Sequence, residues 1–175
     1  MLNKRHLYSN SLKFNNYSNY SFNYMKIKKE KSKFSLTQYR KDERIVELVY
    51  KTNKKILAVW VIDCVERVLP YFEKKYPKDN RPRNAIETLQ IWINTGVFKM
   101  AVIRKASLDA HAAAREVGED NAARSAARAA GQAVATAHVK THSIGAAIYV
   151  LQAIHRATNS SDAYTAIAKE RDWQY

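Results

Sequence analysis

Arg124, Arg128, Gly131, Ala135, His138, His142 and Gly145 follow one another at intervals of four, three, four, three, four and three residues. On a continuous helix this spacing puts all seven on one face. That face would carry two guanidinium groups at one end, two imidazoles towards the other and almost no side chain between them. The guanidinium fork suits carboxylates or phosphates, and the small middle would let another backbone or a ligand come close. Two histidines four apart can also chelate a metal. Here Val139, Lys140 and Thr141 stand between them, the Glu of a zinc-protease HExxH is missing, and the lysine disfavours a cation. The expectation is no metal and no cofactor. His138 and His142 would hydrogen-bond to neighbouring helices while the small residues permit helix crossing, and the sharper alternative is an anion-accepting groove.

Other constellations surround this one. In DCVERVLPYFE, Asp63 and Arg67 are four apart and Glu66 is within reach of Asp63, which is expected to give an ion pair capping a buried face. A catalytic reading would pair Asp63 or Glu66 as general acid or base with a histidine, or use Cys64 as a nucleophile with His111 or His138. A lone cysteine on an apolar helical stripe is expected in the core instead. DNRPRNAI sets Asp79, Arg81 and Arg83 around Pro82, and the two arginines are expected to pair inside the domain with Asp63, Glu66 or Asp109. In AHAAARE, His111 and Arg115 are also four apart and would extend the polar cluster. No residue is assigned a catalytic role.

The elements that must position these groups read as helices throughout. From about Gln38 apolar residues recur at three and four, with no convincing alternation of period two. A first helix is predicted through KDERIVELVYK, with Ile45, Leu48 and Val49 inward. The next carries a stripe of Leu57, Val61, Cys64 or Val65, Val68 and Phe72, with a kink or fresh turn at Pro70. Pro82 sits in the first turn of a third helix closed by Gly96, and a fourth ends at the left-handed cap Gly118. Asp120 or Asn121 would cap a fifth, running unbroken to about Thr158 or bending near Thr141 to Gly145. Ser161 or Asp162 would cap a short last helix. Between positions 101 and 150, 17 of 50 residues are alanine, so these helices must pack closely while Trp60, Phe72, Leu89, Trp92 and Ile93 fill the core. The expected fold is all-α, a single-domain bundle of about six or seven helices.

With 175 residues, 46% hydrophobic and 26% charged, the chain suits one globular domain. The first 35 residues differ: Asn, Tyr, Ser and Lys dominate, and eight basic residues against Glu30 alone give +7, half of the net +14. Such a tract cannot bury enough apolar surface to offset its ordering entropy. It is read as a mobile segment ahead of a helical domain at 36–175. A nucleic-acid or membrane arm, a targeting peptide and a translated leader before a start at Met25 are the three readings, and the leader is preferred because these residue types use A/T-rich codons. There is no apolar signal core and no membrane span; the best window, ILAVWVI, stops at Asp63. A single cysteine, Cys64, suits a reducing compartment, so the expected location is the cytoplasm.

DCVERVLPYFEKKYPKDNRPRNAI, AHAAARE, GQAVATAHV and HSIGAAIYVLQAI together resemble the motifs of a family of small all-helical bacterial immunity proteins. The resemblance runs from about Ile56 to Ala157 and reaches ERDWQ near the end. Gln132 stands where a histidine is common in that family, Val61, Ile62 and Val65 replace small residues around DC, and the chain stops at Tyr175, soon after WQ. The resemblance implies inhibition of a toxin by direct binding, without turnover, with exposed members of the set Arg81, Arg83, Arg115, Arg124 and Arg128 as contacts. The +7 that remains on residues 36–175 suits an acidic toxin surface. The alternatives are a nucleic-acid-associated basic protein, which lacks a recognition motif, and a small helical enzyme using Asp63, His111 and His138. Alanine-rich faces would also serve a homodimer.

Overall fold

The computed structural model of the protein describes residues 43–175. The readings made for residues 1–35, and the proposed domain start at 36, lie outside the described residues. Eight helices follow in order: α1 (Glu43–Lys51), α2 (Lys54–Glu66), α3 (Pro70–Glu73), α4 (Arg81–Thr95), α5 (Met100–Glu116), α6 (Ala122–Ala135), α7 (His142–Ala157) and α8 (Ala163–Gln174). The described residues contain no strand, and the fold is all-α. The helices exceed the expected six or seven because Pro70 starts the four-residue α3 and because the long alanine-rich segment is two helices.

The sequence leaves two options for this segment, unbroken to about Thr158 or bent near Thr141 to Gly145; the chain breaks, and does so just ahead of the expected bend. A helix from Ala122 to Ala157 would be about 54 Å long, whereas a domain of this size is roughly 36 Å across. Instead α6 tightens at its end, with Thr136 N–H donating to Ala133 O and Ala137 N–H to Val134 O. The chain turns through Thr136–Thr141, and α7 returns antiparallel along α6. Contacts pairing Ser125 with Gln152, Arg128 with Tyr149 and Gln132 with His142 mark the antiparallel register. The turn has neither Gly nor Pro; three of its six residues, Thr136, Val139 and Thr141, are β-branched and weaken the helix slightly. Burying both halves against each other decides the break.

Helix α6 is central, packed along α5 and α7 and contacting α2, α3 and α4. Ten of its 14 residues are buried, none larger than Val134. Larger side chains come from the earlier helices: Val61, Val65, Val68, Leu69, Phe72, Leu89 and Trp92 are buried around it, and Trp60 and Ile93 pack against that core from partly buried positions. Cys64 is fully buried among them. On α1, Ile45 and Val49 face inward, but Leu48 is 51% exposed. It lies at the mouth of a cavity of about 190 Å³ that Ile56, Trp60 and Tyr175 also line.

The caps are set locally. Asn121 accepts a hydrogen bond from Arg124 N–H at 3.0 Å and caps α6. Gly96 and Gly118 adopt φ of +68° and +72°, the left-handed conformation that a side chain would strain. Asp162 holds the N-cap position of α8 without a side-chain cap bond.

Candidate functional site

The sequence pairs Asp63 with Arg67; the structure does not. Arg67 turns from α2 to α8, where its Nε lies 3.0 Å from each carboxylate oxygen of Glu170 and its guanidinium stacks 4.1 Å above the Trp173 ring. Glu170 is buried, so a paired cation is what allows it there. Trp60 Nε1 donates to Gln174 O at 2.9 Å and completes the attachment of α8. Asp63 is left exposed. Burial, then the charges of Glu170 and Asp63, push the Cys64 thiol far up, which keeps it protonated and unreactive.

At the start of α4, Asp79, Arg81 and Arg83 form a brace. Arg81 grips Asp79 with Nε at 2.9 Å and NH2 at 2.7 Å, and reaches Glu116 at the end of α5 with NH1 at 3.0 Å. Arg83 donates through NH1 and NH2 to Glu66 on α2 and through Nε to Glu73 on α3 at 2.8 Å. Of the three partners expected for these arginines, Glu66 is found and Asp63 and Asp109 are not, Asp109 pairing with Lys105 instead. The Arg81 hydrogen bonds hold the Asp79 carboxyl below its ordinary range.

The opposite case lies along α6. Arg124 and Arg128 stand on its outer edge, flanked by His111 and Arg115 of α5 and by Tyr149 and Arg156 of α7. Arg124 Nε donates to Ala114 O at 3.1 Å, and its NH1 reaches Asp120 Oδ1 at 3.3 Å. The other oxygen of Asp120 accepts from Arg156 NH2 at 2.8 Å. Arg156 NH1 donates to Ser125 Oγ, which in turn donates to Gln152 Oε1 at 3.1 Å. Arg128 NH1 donates to Tyr149 OH at 3.4 Å.

Towards the other end of the seam, side chains fill the space that the glycines leave. A methyl group at Gly131 would lie 2.9 Å from His111 Cε1, and one at Gly145 would lie 2.8 Å from Gln132 Oε1. The close approach inferred from the small residues is therefore made by His111 and Gln132. Gln132 Oε1 accepts from His142 Nδ1 at 2.8 Å, and its Nε2 lies 3.5 Å from His111 Nε2. Burial, then Arg128, Arg115 and His142, lower the His111 pKa; burial, then His138, lower that of His142. Both effects favour the neutral imidazole. His138 lies in the turn, off the helical face assigned to it, with its ring 5.0 Å from that of His142. Among the described residues no group of three or more His, Cys, Asp or Glu is arranged to hold a metal.

The structure thus places His111, Arg115, Arg124, Arg128 and His142 along one seam on α5, α6 and α7, with His138 in the turn beside His142. It keeps Asp79, Arg81, Arg83 and Glu66 in the brace, and places Asp63 and Arg67 in neither. Sequence reasoning missed Arg156, Tyr149 and Gln152, and it read Asp120 only as a cap. A signal was present: after Gly145, the same alternation of four and three reaches Tyr149, Gln152 and Arg156.

A family profile described as "Imm-5 like putative immunity protein" matches residues 47–175. The chain belongs to this family. No curated protein and no solved structure matches the chain. Family membership points to an immunity role, a toxin as partner and a non-enzymatic activity. The motifs that carry the immunity-protein resemblance brace one another here: DCVERVLPYFE meets DNRPR through Glu66, Glu73 and Arg83, and meets ERDWQ through Arg67 and Glu170. AHAAARE meets DNRPR through Glu116, and GQAVATAHV through His111 against Gly131. Among the described residues, no helix is long and apolar enough to cross a membrane.

Proposed function

We propose that this protein protects a bacterial cell by binding a toxin directly in the cytoplasm and occluding it, and that the toxin rests on the basic seam of α5, α6 and α7. The observation that carries the choice of face is the distribution of carboxylates. Arg81 and Arg83 each hold two and are committed to the fold, whereas Arg124 and Arg156 share Asp120, and Arg128 leans on a tyrosine hydroxyl. Arg115, one helical turn along α5 from His111, is exposed. A surface of this charge favours and steers an acidic partner. It supports Arg115, Arg124 and Arg128 of the five arginines as contacts and argues against Arg81 and Arg83. The test is growth rescue. The neighbouring candidate toxin gene is induced with and without this protein, and surviving colonies are counted. Selective rescue that is lost on combining Arg115→Glu with Arg128→Glu is the expected result. No rescue, with both proteins soluble and the toxin active, overturns that pairing; rescue untouched by the double reversal overturns the face.

A further inference from the structure

We propose that Arg124, Arg128 and Arg156 form a binding site for a dianionic oxyanion of the phosphate class, set between the amino-terminal half of α6 and the carboxy-terminal half of α7. Three guanidinium groups meet there. Arg124 and Arg156 approach the two oxygens of Asp120, at 3.3 and 2.8 Å. Arg128 lies one helical turn beyond Arg124, with its guanidinium carbon 5.8 Å from the centre of the Tyr149 ring. Three permanent positive charges against one carboxylate leave an excess of two. The acids next along the chain are engaged elsewhere, Glu116 with Arg81 and Glu119 with Lys75.

Burial makes that excess significant. The Arg156 side chain is 6% exposed. The Nε atoms of Arg156 and Arg128 are buried and have no hydrogen-bond partner among the described residues. A buried donor left unmade is costly, and more so on a charged group. Burial also lowers the Arg156 pKa; Arg124 and Arg128 act in the same direction and Asp120 opposes them. An ion with two charges and several acceptor oxygens matches both deficits, because the guanidinium fork meets phosphate oxygens in pairs. A monoanionic carboxylate would leave one charge uncompensated. Tyr149 OH, already beside Arg128, supplies a further polar group at the edge of the site.

The experiment uses the full chain with arginine side chains labelled by ¹⁵N, and follows the Nε–Hε resonances while inorganic phosphate is added at constant ionic strength. Saturable shifts of Arg128 and Arg156, with acetate binding about tenfold more weakly, are the expected result. Arg128→Gln should weaken phosphate about tenfold or more, and Arg128→Lys, which keeps the charge but loses the fork, by less. Shifts that fail to saturate, or that are the same with chloride, overturn the site. Acetate binding as tightly as phosphate overturns the phosphate class and assigns the site to a carboxylate. The titration of the unaltered chain decides the matter even if the variants do not fold. It is read on the isolated protein, so its outcome is independent of growth rescue.

Discussion

At the corner where α3, α4 and α5 meet, two arginines face four carboxylates: Arg81 holds Asp79 and Glu116, and Arg83 holds Glu66 and Glu73. Along α6 and α7, Arg124 and Arg156 share the single carboxylate of Asp120, and Arg128 donates to a tyrosine hydroxyl. The side chains are chemically identical and both regions are partly buried, yet their consequences differ. Where charge is matched and each fork is filled, the arginine ties elements together, and its loss leaves acids that repel one another. Where charge is unmatched, the arginines can still be bonded into the fold, as Arg156 is to Asp120 and Ser125, but they keep a positive excess that the fold does not neutralise. The brace explains how the chain closes on itself; the seam is where it has something left to offer a partner.

The largest expected effect tests whether the seam, though underpaired in charge, is tightly packed. Gly131→Leu drives a side chain into the His111 ring and should cost about 3 kcal/mol in urea unfolding. A loss under about 1 kcal/mol would show that His111 moves aside freely and that the seam is loose. Next comes the brace itself: Arg83→Met strands Glu66 and Glu73 and should cost about 2 kcal/mol. A change within about 0.5 kcal/mol would place Arg83 among ordinary surface ion pairs and remove the contrast with the seam.

The matching change in the seam sharpens the comparison by its smallness. Arg128→Met removes a cation from beside two others and keeps an apolar stem, so stability should shift by no more than about 0.5 kcal/mol while toxin rescue is lost. A loss as large as that of Arg83→Met would make Arg128 structural. The smallest effect is a slope. His111 and His142 have lowered pKa values in the fold, so the unfolded chain takes up protons first as pH falls. Their contribution is fully present above about pH 6.5, the ordinary histidine value, and is lost as pH drops through the folded values. Urea midpoints should therefore decline below about pH 6.5, and the decline should flatten in His111→Gln with His142→Gln. An unchanged slope would mean that other groups govern it.

Most of the helices, the caps at Gly96 and Gly118, Asn121 as one of two candidate caps, and the supply of large core residues by the earlier helices were readable from spacing and residue type. Local rules govern those features: side chains three and four apart share a face, and a left-handed cap accepts glycine most readily. The single face from Arg124 to Gly145 held only for an unbroken helix, and neither that reading nor a bend near Thr141 to Gly145 put the break at Thr136–Thr141, because nothing there forbids a helix. The Asp63 and Arg67 pairing failed for a related reason: spacing shows which groups can meet within a helix, but a buried carboxylate 103 residues away, Glu170, competes better than an exposed one nearby. Leu48, taken as core, faces a groove at the edge of α1.

By itself the sequence determined the helical class, the alanine-rich close packing and the family, because periodicity, propensity and spaced motifs are properties of residues near one another in the chain. Only the tertiary structure decided which arginines are matched. A guanidinium shows the same fork wherever it occurs, and whether it becomes a brace or an open site depends on how many carboxylates the fold brings within reach.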